Sequence, residues 1–396
     1  MASMDTISRN PTIDASLNEA EGATVISDWA HRPAAANDLM LRRSFLGVLA
    51  ESQNSPPEEK LVMYDACDEE EVTESLGAVR KRLDARRNTK PKKAADQLFV
   101  CTPFNPSGFH FGKISNERER LVKLQLGSEQ RYDILTNKFP LFPKHMLLVA
   151  DALVPQQMTG THLSAITELL SATTGFCAYF NSWCASASVN HFHCHLIDEH
   201  PPVTKLPLVP GPVIGGARCL QPQGFSGFCY VFPLARLTHV EAAIVAMQAD
   251  NQPHNLLITP RHIYVWPKPH VRPSRSFDLY PETVGGPELL GSFTVYTTDV
   301  YESLSREDCE ELARINTAPL PTRLLAAAPA SMHLTAVDDE AVHSSAECER
   351  ATSRTPISSS RTMELPQLPS LAGLHQGRMP QDRPIALALA SNIGLC

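Results

Sequence analysis

The sequence predicts an α+β protein built from two related halves. Short apolar or alternating runs bounded by Pro, Gly and Asn read as strands. Helical spacing is confined to a few separate segments. The order strand, helix, strands occurs twice, once over 132–197 and again from Phe228 to Trp266. Only the first passage carries an evident constellation. Its segment Asn181–His195, NSWCASASVNHFHCH, ends with histidine at every second position: His191, His193 and His195.

In a strand, alternate side chains share a face. The three imidazoles then line one side, while Phe192, Cys194 and Leu196 pack into the core. Such a row suits a nucleophile with phosphate donors, or a metal site. For metal, a structural site recruits Cys or carboxylate as well, and Cys194 points to the wrong face of a regular strand. No metal and no cofactor is therefore expected.

Composition bounds the rest. The chain has 396 residues, enough for two domains or one large duplicated one. Hydrophobic content of 43% and charged content of 20% are those of an ordinary globular protein. A net charge of −8 argues against a general nucleic-acid binder, which needs a basic face, but not against a nucleotide ligand. The ten cysteines are scattered without a CxxC pair and several lie in apolar runs, which suits a reducing compartment. The N-terminus shows no apolar core of a secretory signal, and no apolar run is long enough to span a membrane. A cytoplasmic enzyme is the expectation; the oligomeric state is left open.

In chain order, residues 1–35 are polar and aperiodic and are expected to be disordered. Apolar spacing then predicts a helix over 37–50, N-capped by Asn37. The acidic cluster Asp68–Glu71 and the basic run Arg80–Lys93 read as a solvated helix and a linker. Organised sequence begins at Leu98, with a strand Leu98–Cys101 and a turn in FNPSGFHFGK, where Lys113 is the nearest base. Strands follow over Tyr132–Phe139 and His145–Ala150, then a helix over Thr161–Ala172 and a buried strand Phe176–Phe180. After the histidine strand, residues 200–213 are read as a Pro-rich crossover. The second cycle is a strand from Phe228, a helix Thr238–Met247 and a hairpin, Asn255–Thr259 with His262–Trp266. A strand Ser292–Thr297 and a helix capped by Ser305 end the ordered part. The expected divisions are 1–97, an N-terminal extension; 98–222, the catalytic half; 223–319, a second half without the histidines; and 320–396, a low-complexity tail.

The chemistry follows from imidazole. Neutral at ordinary pH, it attacks activated phosphorus. His193 attacking the α-phosphorus of a nucleotide gives a nucleotidyl-imidazole, reactive enough to pass the group to water, phosphate or a sugar phosphate. His191 and His195 would stabilise the non-bridging oxygens. In the loop before them, Ser182, Ser186 and Ser188 offer hydroxyls, and Asn181 and Asn190 offer amides.

The segment SVNHFHCHLI resembles the HxHxH signature of the histidine-triad superfamily. FNSWCASASVNHFHCHLI is similar, more narrowly, to the GDP-hexose phosphorylases, which act on GDP-D-glucose or GDP-L-galactose. The likeness extends to FNPSGFHFGKI and NKFPLFPKHMLLV upstream, more weakly to HNLLITPRHIYVWPKP downstream, and covers about 98–316. It implies a histidine-triad-like antiparallel sheet with packed helices in two halves. It implies His193 as the nucleophile, with His191, His195, Ser188 and Asn181 at phosphate and Asn137 near the ribose. Ser182 and Lys113 complete the candidate nucleotide and phosphate site, and His145 matches a structural position. The implied partners are a GDP-sugar and inorganic phosphate: the GDP-hexose gives guanylyl-His193 and hexose 1-phosphate, and phosphate then releases GDP. Two departures stand out. Trp183-Cys184 occupies a stretch where relatives carry small residues, and His195 replaces the Gln of the plant enzymes. Two other readings compete. One is a dinucleoside polyphosphate phosphorylase or hydrolase, because NKFP and FNS also resemble the ATP adenylyltransferases. The other is an inactive nucleotide-binding scaffold.

Overall fold

Eleven strands form one sheet, and its order reveals the duplication. The computed structural model describes residues 25–66, 72–89, 97–127 and 130–325. The first strand, β1 (Val25–Ile26), pairs in parallel with β4 (Arg120–Leu126). Then come β5 (Gln130–Thr136), β6 (Met146–Ala150), β7 (Cys177–Asn181) and β8 (His193–Ile197). The second set is β9 (Leu208–Ile214), β10 (Ala217–Pro222), β11 (Tyr230–Pro233), β12 (His254–Ile258) and β13 (His262–Pro267). The sheet runs β1-β4-β5-β6-β8-β7-β12-β13-β11-β10-β9. Each half is thus a three-stranded meander, a helix and a hairpin, and the halves meet antiparallel at β7 and β12, with Tyr179 opposite Leu257.

One face of the sheet is covered by helices. They are α1 (Ala34–Gln53), α2 (Gly160–Ser171) and α3 (Leu237–Ala249). Leu41 and Phe45 of α1, Leu163, Ile166 and Leu170 of α2, and Val240, Ile244 and Met247 of α3 bury against Ile134, Leu148, Phe192, Cys194, Leu196, Leu256 and Val265. Burying such side chains is worth about 1.5–3 kcal/mol each, which sets the register of β8: its even-numbered residues must face the helices. The odd ones therefore face the other way, where Leu147 lies opposite His195 and Val149 opposite His193.

Short helices α4 (Ser274–Leu279), α5 (Gly286–Leu289), α6 (Thr298–Ser303) and α7 (Arg306–Ile315) flank a three-stranded sheet of β2 (Val72–Ser75), β3 (Arg80–Leu83) and β14 (Ser292–Val295). Ser305 caps α7 as expected, accepting from the Asp308 amide. Tyr179, Tyr264, Trp266, Phe293 and Leu289 make a second core between this layer and the large sheet.

Several expectations are corrected. Residues 1–35 were expected to be disordered, yet Val25–Ile26 is a strand and Trp29 is fully buried, its indole donating to the Leu169 carbonyl; residues 1–24 lie outside the described residues. The helix begins after Pro33, not at Asn37, whose buried amide donates to the Trp29 and Ala172 carbonyls. Arg80–Leu83 is a strand rather than a solvated linker, and Lys81, Arg82 and Arg87 are buried. Asp68–Glu71 and Lys90–Lys93 lie outside the described residues. Leu98–Cys101 forms no strand; Leu98 and Phe99 are exposed, and Asn251 holds this segment by its Leu98 carbonyl and Val100 amide. The Pro-rich crossover contains β9, an outer strand that accommodates Pro210 and Pro212. At the far end, Leu320 is buried and its amide donates to the Tyr230 hydroxyl, while residues 326–396 lie outside the described residues.

Candidate active site

The strand places His193 and His195 on the face opposite α1, α2 and α3, with ring centroids 5.6 Å apart. His191 precedes the strand, in a bend. Phe111 joins them, its ring 5.0 Å from His193 and 5.8 Å from His191.

Three bonds from one side chain fix the backbone of His193 and tie it to Asn181. Gln156, fully buried, accepts from the His193 amide at 2.8 Å through Oε1. Its Nε2 donates to the His193 and Asn181 carbonyls, each at 2.9 Å. Asn190 in turn accepts from the Gln156 amide and donates to the Pro103 carbonyl, so the loop before the strand is anchored too.

Hydrogen-bond partners also assign the ring protons. Nδ1 of His193 lies 2.8 Å from the His191 carbonyl oxygen. A carbonyl only accepts, so Nδ1 carries the proton and the neutral ring holds its lone pair on Nε2. His195 is set the opposite way. The Leu141 amide donates to Nδ1 of His145 at 3.0 Å, which places that ring's proton on Nε2. Nε2 of His145 lies 2.9 Å from Nδ1 of His195, so His195 accepts there and carries its own proton on Nε2. Tyr179 holds the pair in place: its ring stacks on His195 at 4.3 Å and its hydroxyl lies 3.3 Å from the same His145 nitrogen. Two adjacent imidazoles thus present opposite faces, a lone pair and a donor.

His191 is a neutral anchor. Its Nε2 donates to the Ala152 carbonyl at 3.0 Å, and its Nδ1 is buried without a hydrogen-bond partner. Burial depresses its pKa. Its carbonyl, rather than its ring, is what touches His193.

The other candidates divide. Asn137 lies beside the site, its Nδ2 3.2 Å from Nε2 of His145 and its Oδ1 accepting from the Phe139 amide. Asn181 and Ser182 face the junction of the halves instead. Oδ1 of Asn181 accepts from Asn255 at 2.7 Å and from the Gly286 amide at 3.0 Å, and Oγ of Ser182 accepts from the His254 amide. A Cβ at Gly286 would lie 2.6 Å from the Tyr179 ring, so only glycine permits this approach. Ser188 is exposed at the loop tip. Lys113 donates to the Ser107 and Gly108 carbonyls and braces its own turn. The loop turns through left-handed backbone at Cys184 (φ 78°) and Ser186 (φ 83°), which non-glycine residues adopt at a cost of order 1–3 kcal/mol.

Gln156 and Tyr179 escaped the sequence reading. Gln156 stands in VPQQM with no motif around it. Tyr179 reads as one more apolar residue of a buried strand; its distance of two from Asn181, on the same face, was the available signal. Among the described residues, no group of three His, Cys, Asp or Glu is arranged to hold a metal ion.

Residues 58–197, which include β2 to β8, match the family model described as GDPGP1-like, N-terminal domain. The match covers less than half of the chain. A Danio rerio protein named GDP-D-glucose phosphorylase 1 is 39% identical over 118 residues, 29% of this chain and 34% of that protein. The Bos taurus protein of the same name is 35% identical over 162 residues, 38% of this chain and 42% of its own length. The chain thus aligns with well under half the length of the curated relatives it matches. Among solved structures, yeast Ap4A phosphorylase Apa2 superposes with a TM-score of 0.50 at 16% identity, covering 70% of this chain and 94% of that one. Its complex with Ap4A gives the same score, with 97% of that chain covered. At that identity the likeness is one of fold, and it extends beyond the GDPGP1-like domain. The architecture is α+β, shared with that phosphorylase at the level of fold. Among the described residues, no helix is long and apolar enough to cross a membrane.

Proposed function

We propose that this chain transfers the guanylyl group of a GDP-hexose to phosphate, releasing hexose 1-phosphate and GDP. The observation that carries the reading is the opposed tautomers of His193 and His195. Nε2 of His193 attacks the α-phosphorus, and the bond from that phosphorus to the bridging oxygen breaks. Hexose 1-phosphate leaves with the electron pair, and guanylyl-His193 remains. An oxygen of inorganic phosphate then attacks the same phosphorus, and the pair of the phosphorus–nitrogen bond returns to Nε2. Nε2–H of His195 donates to a non-bridging oxygen, where charge accumulates in both steps. The His191 carbonyl stabilises the positive charge that develops on the His193 ring.

Asn137 sits beside this pair and is the candidate for the ribose; Ser188 is the exposed hydroxyl available to an incoming nucleotide. Asn181 and Ser182 act through position, tying β7 to the second half. The functional division is then a catalytic half and a second half that supports it. The base is supported by the relatives' shared name, GDP-D-glucose phosphorylase 1.

The test supplies GDP-glucose, GDP-L-galactose and diadenosine tetraphosphate, each with and without phosphate, and follows nucleoside diphosphate release. Phosphate-dependent GDP release from a GDP-hexose is expected. Inert GDP-hexoses with turnover of the tetraphosphate would overturn the assignment of substrate.

A further inference from the structure

The loop 137–145 carries both groups that set the tautomer of His195, the Leu141 amide and the His145 ring. This loop rests on two arginines of the basic run. Arg82, in β3, donates through Nη1 to the Leu141 carbonyl. Arg87, in the turn after β3, donates through Nη1 to the Phe139 carbonyl and lies 3.5 Å from the Tyr64 hydroxyl. Each is only 7% exposed.

A buried guanidinium ordinarily meets a carboxylate, because an uncompensated charge costs several kcal/mol. The cations around Arg87 follow that rule: Arg80 pairs with Glu199, Lys81 with Glu74 and Arg86 with Asp84. Arg87 has no carboxylate partner among the described residues, and its buried Nε makes no hydrogen bond. The Tyr64 and Tyr296 side chains meet its guanidinium instead and offset the burial. Its contact with the Phe139 carbonyl leads to the site. The amide of Phe139 donates to Oδ1 of Asn137, and Asn137 packs beside His145, its Nδ2 3.2 Å from Nε2 of that ring without a hydrogen bond between the two donors. Its charge also acts on Tyr179, the ring stacked on His195.

We propose that Arg87, with Arg82 beside it, is a positioning residue for the transfer reaction: the two guanidinium groups hold the Phe139 and Leu141 carbonyls, keep the Leu141 amide on His145, and so keep His195 a donor. This role rests on the function proposed above only for its consequence in turnover. The hydrogen-bond chain itself is independent of substrate. Arginine suits the task because its planar fork holds a carbonyl in one direction, whereas a lysine ammonium would not.

The test uses the full chain labelled with 15N in its histidine rings. Ring-nitrogen shifts report which nitrogen carries the proton. The unmodified protein should show Nε2–H at His145 and His195 and Nδ1–H at His193. Arg87→Met keeps most of the stem but removes charge and donors. It should turn the His145–His195 pair into a tautomer mixture, leave His193 unchanged, and lower kcat about 10-fold with KM within about 3-fold. Arg87→Lys should fall between. An unchanged ring-nitrogen pattern in Arg87→Met would overturn the proposal. Should that variant fail to fold, Arg82→Met carries the same comparison, and loss of the fold in both would overturn it by making the pair purely structural. A chain inert toward GDP-hexoses whose tautomers still respond to Arg87→Met would sink the proposed substrate and leave the positioning role standing.

Discussion

His193 and His195 are chemically identical side chains two residues apart, and the backbone makes them different. One ring meets a carbonyl, the other meets an imidazole that has itself met an amide. That distinction is invisible in the letters HFHCH, because it depends on residues 50 positions away at His145. The row of imidazoles was legible, since period two is a local property of a strand. His191 was legible as a member of the row but not as an anchor, because the strand starts after it. Gln156 is the sharpest case of a hidden residue. Replacing it by Leu strands the His193 amide and the carbonyls of His193 and Asn181, each at about 1–3 kcal/mol. Gln156→Leu should therefore melt at lower temperature and lose at least about 10-fold in kcat, since a misplacement of about 1 Å costs up to about 100-fold. Wild-type turnover in that variant, measured beside its thermal unfolding, would remove Gln156 from the site's support.

Elements announced themselves where one face was apolar. The helices α2 and α3, strands β6 and β7, and the hairpin β12–β13 follow from spacing alone, because their buried sides are continuous in sequence. β3 did not, because RKRL buries Lys81 and Arg82 through partners that only tertiary structure supplies. Leu98–Cys101 misled in the other direction: Leu98 and Phe99 stay exposed, only Val100 is buried, and the Asn251 side chain binds the segment's backbone. The contact of α2 with Phe192, just before β8, makes a prediction of its own. His162 stacks on Phe192 at 3.5 Å and accepts or donates to the Tyr132 hydroxyl, and burial lowers its pKa to about 4; His254 is lowered to about 4 likewise. Unfolded, both would titrate near 6.5, so the unfolded chain binds more protons in the acid range. Their stabilisation is present above about pH 6.5 and is lost as the pH falls toward 4, at roughly 3 kcal/mol each. Urea unfolding at pH 7 and pH 4.5 should show the loss. In His162→Phe the difference between the two pH values should shrink; an unchanged difference would mean that His162 charges in the folded state without penalty.

At the scale of the whole molecule, duplication accounts for a candidate site in one half and not in the other among the described residues. Both halves use the same strand order, but the face that carries His193 and His195 on β8 carries Tyr264 and Trp266 on β13, where they fill the second core. The second half contributes support instead. Asn255 and Gly286 hold Asn181, and His254 holds Ser182, so the loop that delivers the histidine strand is fastened across the junction of β7 and β12. The repeated element order made the duplication readable, whereas the support across the junction depends on pairing between residues some 70 positions apart. The proposed reaction requires covalent transfer through one nitrogen of His193. Intact-mass measurement at neutral pH, after mixing the protein with GDP-glucose without phosphate, tests this most directly. A gain of one guanylyl group is expected, discharged when phosphate is added, with no gain in a folded His193→Ala variant. An adduct that persists in His193→Ala, or GDP-glucose consumed by a protein that never gains mass, would contradict it.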